Sequence, residues 1–233
     1  MTLPLVVVPG ILEDEESWRE ALAPLGLPLE VIANRGDSIE GMAAALLERA
    51  PPRFALLGHS LGGYVAQAAA LAAPERIAAL ALVSTSARTE TEPSRAARAA
   101  LVAAAREDFA AVVARLARAA LAPPNRQAHG AAVEAMMLAG GVERFAREQH
   151  AAAMRPVLEN RIGAIGCPAL VVTGDADAVI PPAASDELAA LLPQARLMRL
   201  EGCGHMPQLE GGARLRAGLA RWLADLAKVI AAG

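Results

Sequence analysis

The sequence predicts an α/β domain: a parallel β-sheet covered by helices on both faces, with further helices inserted after the fourth strand. Three observations predict it. Short apolar runs recur along the chain, each followed by a longer segment of helical periodicity. Most of those runs lack the polar alternation of a half-exposed strand, as expected of strands buried on both faces. From Ser84 to Gly166 the rhythm stops, and no convincing strand appears.

In chain order the candidate strands are "LPLVVV" (3–8), "LEVIA" (29–33), "RFALLG" (53–58), "IAALALV" (77–83), "PALVVTG" (168–174) and "ARLMRL" (195–200). Periodic segments at 14–23, 38–50, 62–73, 183–192 and 211–230 supply the helices, which gives βαβ units with right-handed crossovers. Residues 86–165 are rich in Ala and Arg and are broken by "EPS" (92–94), "APPN" (122–125), "AGG" (139–141) and "RP" (155–156). This reads as three or four helices. It is too long for a loop in a compact domain, so a core of 1–85 and 166–233 and a helical cap subdomain of 86–165 are expected. Charge follows the same division. Residues 88–161 hold 11 Arg against 8 Asp and Glu, a net of +3, which leaves 11 basic and 17 acidic residues elsewhere, a net of −6.

At 233 residues with 55% apolar content, the chain has material for one well-buried domain. A net charge of −3, no basic run and few aromatic residues argue against a nucleic-acid partner. Lys228 is the only lysine and Ala is abundant, a bias of genomic composition. The N-terminus "MTLPLVVVPG" has no basic n-region or small-residue cleavage site. The charge-free window Phe54–Pro74 is interrupted by His59, Ser60 and glycines, which fits a strand–turn–helix and not a membrane span. A cytoplasmic protein without membrane association is expected. Cys167 and Cys203 fit no CxxC spacing and should lie at opposite ends of the sheet, as reduced thiols. No metal-ligand cluster or cofactor motif is present in the sequence, so neither is expected.

The chemistry centres on "Gly58-His59-Ser60-Leu61-Gly62-Gly63". It fits G-x-S-x-G between a strand and an Ala-rich helix, the context of a nucleophile elbow. Side chains two residues either side of the serine would collide in so sharp a turn, hence the glycines. The turn presents the Ser60 hydroxyl beside a helix N-terminus, where N–H groups favour a developing oxyanion. The alternative is an ordinary strand–helix turn with Ser60 as N-cap. The spacing is not that of a dinucleotide fingerprint, and no Lys follows to make a phosphate loop.

A serine hydroxyl needs a base. Neighbouring side chains on a tight turn point apart, so His59 reads as packing, and His129 and His150 read as solvated residues of the inserted helices. His205, after the last strand, emerges at the same end of the sheet as Ser60. The base needs an acid to hold its tautomer. Asp175 and Asp177, in the loop after strand 168–174, are the candidates, with Glu90 and Glu92 further out. A Ser…Asp…His order results.

With these elements in place the chain resembles the α/β-hydrolase superfamily over nearly its whole length. It is similar in particular to small capped bacterial members: carboxylesterases, pimeloyl-carrier methyl ester esterases and 3-oxoadipate enol-lactonases. The family's G-x-x-D element maps onto Gly174 to Asp177 and selects Asp177 over Asp175, and its G-H element maps onto Gly204-His205. The resemblance implies an oxyanion hole from the N–H groups of Leu61 and Ile11, with Leu12 in reserve. Pro9 stands where such proteins usually carry histidine, which leaves the hole's backbone in place but without its customary support. Relatives usually have two more strands ahead of "LVVVPG". A reduced, all-parallel six-stranded sheet is therefore expected, in the order 29–33, 3–8, 53–58, 77–83, 168–174, 195–200. Serine at the elbow argues against the epoxide hydrolase and haloalkane dehalogenase branches, which use aspartate there.

The implied activity is hydrolysis of a small, apolar carboxylic ester through an acyl-enzyme, with Ser60, His205 and Asp177 as nucleophile, base and acid. Enol-lactone opening, C–C bond hydrolysis or thioester chemistry on the same triad, or non-catalytic ligand binding, are the alternatives. Phe145 and Gln149 resemble a substrate-contacting cap segment of the pimeloyl ester esterases. Phe109, Met136, Met137, Leu138, Phe145 and Met154 would line an apolar acyl pocket or form the cap's own core.

Overall fold

A computed structural model describes residues 3–232. Six strands form one sheet: β1 Leu5–Val8, β2 Leu29–Val31, β3 Phe54–His59, β4 Ile77–Val83, β5 Ala169–Gly174 and β6 Ala195–Leu200. Their order is β2-β1-β3-β4-β5-β6, and every neighbouring pair is parallel. The sheet is the one expected from the sequence.

The continuous apolar strands follow from burial on both faces. Val6, Val8 and Leu56 point into one core layer with Met42, Leu46 and Val65, from helices α2 (Ile39–Arg49) and α3 (Leu61–Ala72). Leu5, Val7 and Leu57 point into the opposite layer, with Trp18 of α1 (Glu15–Leu22) and Leu215 and Trp222 of a C-terminal helix described below. Each strand residue thus removes apolar surface from water whichever way it faces, at about 25 cal/mol per Å2. β6 is the exception. It is an edge strand, largely exposed, whose Arg196 and Arg199 pair with Asp225 and Asp186. Charged side chains on an edge discourage pairing with another chain.

Between β4 and β5 the chain forms four helices: α4 Glu92–Glu107, α5 Phe109–Ala120, α6 Arg126–Gly140 and α7 Val142–Ala153. "EPS" opens α4 instead of breaking it. Pro93 takes a position in the first turn, where its missing N–H costs nothing, and Thr91 caps the helix. "APPN" and "AGG" do separate helices, through a 3-10 turn at Pro123–Asn125 and through Gly141. These helices share their own apolar cluster, built on Val113, Val133 and Phe145, which also takes in Leu12 and Met206 from the sheet's C-terminal end. The chain closes with α8 Pro182–Leu191, a short α9 Pro207–Glu210 and α10 Gly212–Ala232. Among the described residues, no helix is long and apolar enough to cross a membrane. Cys167 and Cys203 are both free thiols.

The junction of β3 and α3 has no loop. Ser60 alone makes the turn, at φ 51° and ψ −114°, a conformation unusual for a residue with a side chain. The two glycines are needed for different reasons. A Cβ at Gly58 would overlap the Gly62 carbonyl and come within 2.7 Å of Ala66 Cβ, across the turn. A Cβ at Gly62 would overlap the Val8 carbonyl and lie 2.6 Å from the Pro9 carbonyl, so this glycine lets α3 rest against β1. The collision inferred across the turn therefore holds for Gly58, whereas Gly62 answers to another strand. Gly62→Ala should destabilise the fold by more than about 3 kcal/mol, because backbone cannot yield as a side chain can. Thermal unfolding close to wild type would contradict this packing.

Candidate active site

Three side chains, one from the β3–α3 turn and two from the loops after β5 and β6, meet at the C-terminal end of the sheet. His205 Nε2 lies 2.9 Å from Ser60 Oγ, and His205 Nδ1 lies 2.9 Å from Asp177 Oδ2. A carboxylate only accepts, so Nδ1 carries the proton and Nε2 turns its lone pair to the serine hydroxyl. The other oxygen of Asp177 accepts the N–H groups of Val179 and Ile180, each at 2.9 Å. Burial works to raise the Asp177 pKa, but His205 and the two backbone donors outweigh it and hold the carboxyl below its ordinary value. Asp175 faces elsewhere and accepts the Gly202 N–H. Glu90 is buried against Arg98 and Arg155, and His150 is exposed on α7.

The loop after β1 runs beside Ser60, and its polar atoms are held one by one. Asn34 Nδ2 donates to the Pro9 carbonyl at 2.8 Å. Glu13 Oε2 accepts the Gly10 N–H at 2.6 Å and the Trp18 indole N–H at 2.9 Å. Glu13 Oε1 accepts from Gln208 of α9 at 3.1 Å and forms an ion pair with His59 Nδ1 at 2.8 Å. Glu13, four residues after Pro9, thus ties the loop's backbone to α1, α9 and His59. The Leu12 N–H donates to Glu148 Oε2 of α7 at 2.7 Å. Among the described residues, the N–H groups of Ile11 and Leu61 have no protein acceptor.

His59 is more than packing. Its Nε2 lies 2.7 Å from the His205 carbonyl, and its Nδ1 faces the Glu13 carboxylate, so both nitrogens meet groups that only accept. An imidazolium suits both, donating from Nε2 to the carbonyl and pairing by charge at Nδ1 with Glu13. Burial alone would lower the His59 pKa, but Glu13, the His205 carbonyl and the more distant Asp177 raise it above the ordinary value. For Glu13, burial alone would raise the pKa, yet His59, Trp18 and Gly10 lower it to about 2. The pair joins the loop after β1 to the backbone of His205 itself.

The His205 loop is tied to the inserted helices as well. The His205 N–H donates to the Ala120 carbonyl at 2.7 Å. Glu210 accepts the N–H groups of Gly204 and Met206 with one oxygen, and those of Ala122 and the Asn125 side chain with the other.

A cavity of about 140 Å3 opens over Ser60. Ile11, Leu61 and His205 line it on the sheet side, and Leu116, Met137 and Phe145 on the side of the inserted helices. Gln149 and Arg98 form a polar end, with Arg98 donating to Gln149 Oε1 at 2.6 Å. Beyond them lies a larger outer groove of about 490 Å3, bordered by Arg95, Arg106 and Arg147. Ser60 lines the smaller cavity and not the outer groove. The apolar residues singled out on the inserted helices divide. Met137 and Phe145 face the cavity while also belonging to the helices' own core, Phe109 and Met136 pack against that core, and Leu138 and Met154 are exposed.

The alpha/beta hydrolase fold family matches residues 42–212. The chain belongs to that family. A pimeloyl-[acyl-carrier protein] methyl ester esterase of Aromatoleum aromaticum is 33% identical over 197 residues, which span 75% of this chain and 76% of that protein. Among solved structures, a thermophilic esterase from Thermogutta terrifontis superposes with a TM-score of 0.85 at 24% identity, over 96% of this chain and 90% of that one. The enol-lactonase of Burkholderia xenovorans reaches 0.84 at 21% identity, over 96% and 92%. At these identities the structural likeness shows the α/β-hydrolase fold, and the sequence relative adds an esterase to the family.

Sequence reading missed Glu13, Arg144, Glu148 and Glu210, the residues that hold the loops. Glu13 opens "EDEE", which reads as acidic residues at a helix start, and Arg144 with Glu148 has the spacing of an ordinary surface ion pair. The Glu13–His59 pair stabilises the fold fully between the ordinary carboxylate value of 4.5 and the ordinary histidine value of 6.5. Its contribution fades as pH falls from 4.5 through about 2, and as pH rises from 6.5 through the elevated His59 value. Glu13→Gln strands a buried cation and should cost about 3–5 kcal/mol within that window. Thermal unfolding of both proteins across the pH range should show the deficit largest there and shrinking at either end. A deficit independent of pH would mean that His59 is neutral.

Proposed function

We propose that the protein is a serine hydrolase of carboxylic esters acting through an acyl-enzyme. The observation that carries the reading is the hydrogen-bonded chain Ser60–His205–Asp177, opening on a cavity that two unpaired backbone N–H groups adjoin. Ser60 Oγ attacks the ester carbonyl as its proton passes to His205 Nε2. Asp177, held in ionised form, orients the imidazole and balances the imidazolium. The carbonyl oxygen takes up negative charge and is held by the Ile11 and Leu61 N–H groups, which have no acceptor to give up among the described residues. His205 returns the proton to the leaving alkoxide, and the alcohol departs. Water then attacks the acyl-enzyme, its proton passing through His205 to Ser60 as the carboxylic acid is released.

In this reading the inserted helices, within residues 86–165, act as a cap over Ser60, and the apolar walls favour a small or medium acyl chain. Phe145 and Gln149 line the cavity, which supports their role in contacting substrate. The Aromatoleum relative makes the methyl ester of a medium-chain acyl group the first natural substrate class to try. The arginine-bordered groove beyond Gln149 leaves room for an anionic extension of such a substrate.

With p-nitrophenyl butyrate as substrate, Ser60→Ala and His205→Ala should each lower kcat on the order of 10,000-fold or more, and Asp177→Asn by about 10,000-fold. Undiminished turnover by Ser60→Ala would remove Ser60 as the nucleophile and the proposed reaction with it.

A further inference from the structure

We propose that Glu148, braced by Arg144 on the inserted helix α7, is a positioning residue that sets the oxyanion loop with the Ile11 N–H facing the reacting carbonyl. The inference rests on the acyl-transfer reading above and gives α7 a second task in it, beside lining the cavity.

The case begins with Leu12. Its φ of 59° is unfavourable for a residue with a side chain, and the turn that contains it is closed by a long bond, the Glu13 N–H to the Gly10 carbonyl at 3.4 Å, so contacts from outside the loop must help to hold it there. Its surroundings show what does. The N–H donates to Glu148 Oε2 at 2.7 Å, and the side chain is buried in the apolar cluster of the inserted helices. The approach is close enough that a Cβ at Gly140, the last residue of α6, would come within 2.6 Å of Leu12 Cδ2. The next residue is gripped from α7 as well, since Arg144 Nη2 donates to the Glu13 carbonyl at 2.7 Å. Arg144 Nε also donates to Glu148 Oε1 at 2.8 Å, so the two α7 side chains act as one clamp.

On its other side the loop is fixed by Asn34, which follows β2, on the Pro9 carbonyl, and by its own Glu13 side chain on the Gly10 N–H. Ile11 is left between two anchored segments with its N–H unclaimed. Without the α7 clamp, Leu12 would relax toward ordinary φ and rotate the peptide that joins it to Ile11. The hole would lose its alignment while the acyl pocket kept its walls. Glu148 is 2% exposed. Burial raises its pKa despite opposition from Arg144 and the Leu12 N–H, and such a group is retained at the surface of a helix only where its partners are fixed. Phe145 and Gln149, which face the cavity, flank Glu148 on the same helix, so α7 touches the substrate space and the oxyanion loop at once.

The test separates alignment of the hole from stability and from ground-state binding. Glu148→Ala should lower kcat for p-nitrophenyl butyrate by about 100-fold, the cost of losing one oxyanion donor, and leave KM near wild type. Inhibition by an alkyl trifluoromethyl ketone, to which Ser60 Oγ adds to form a tetrahedral oxyanion, should weaken by a similar factor. Binding of the corresponding methyl ketone should change little. Glu148→Gln, whose amide oxygen still accepts the Leu12 N–H, should recover most of the loss.

An unchanged kcat in Glu148→Ala, a loss carried equally by methyl ketone binding, or a Gln variant as impaired as Ala would each overturn the proposal. If Glu148→Ala does not fold, Arg144→Met carries the test, with a smaller fall in kcat expected at constant KM, and no fall overturning it. Labelling of Ser60 by a fluorophosphonate in every variant keeps this outcome distinct from failure of the acyl-transfer reading, in which Ser60 would go unlabelled in the wild type.

Discussion

Ser60 takes a positive φ because β3 runs directly into α3, and most of the site's geometry descends from that junction. With no loop to absorb the change of direction, the helix must begin against the sheet, and Gly62 lets it begin against the backbone of β1. The same contact brings the loop after β1 alongside Ser60. Ser60, the helix N-terminus and the loop carrying Ile11 are therefore neighbours through one close packing of strand and helix. His205 and Asp177 arrive from the ends of later strands because all six strands are parallel and release their chains at the same end of the sheet.

What the sheet brings near, three carboxylates, two buried and one half-buried, fix in place. Glu13 holds the Gly10 N–H and His59, Glu148 holds the Leu12 N–H, and Glu210 holds the N–H groups of Gly204 and Met206 on either side of His205. Each carboxylate loses hydration on burial, and each recovers it from several donors at once, which is the condition under which a buried charge is tolerated. Loops that would otherwise sample many conformations are thereby given one, without lengthening any secondary structure. The arrangement also links the two halves of the site, since Glu13 and His59 connect the oxyanion loop to the carbonyl of His205.

The sheet was legible because its signals are local and redundant: an apolar run such as "FALLG" can hardly do anything but cross a core. Ser60, Asp177 and His205 were legible for a different reason. Their residue types are narrow, and the order of strands restricts where they can emerge. The supporting carboxylates escaped because nothing in a sequence distinguishes Glu148 from the exposed Glu143 five residues before it. Their roles depend on partners 136 residues away for Glu148 and 195 residues away for Glu13. His59 was half legible: a histidine beside the nucleophile is evidently buried, but its charge becomes evident only once Glu13 is seen beside it. The boundary of β3 shifted by one residue for the same reason, as His59 completes the ladder with Val83.

The sequence separations across the site bear on how the molecule is put together. Ser60 meets His205 across 145 residues, Leu12 meets Glu148 across 136, and Glu13 meets Gln208 across 195. Contacts of such range are slow to form, because large stretches of chain must be closed before any of them is rewarded. The β3–α3 turn, by contrast, is local and can form early. A nascent chain would thus carry a strained serine long before His205 and the clamping carboxylates reach it. The cluster around Ser60 would be among the last parts of the molecule to be completed, and the serine would stand without its partners until those distant segments arrive.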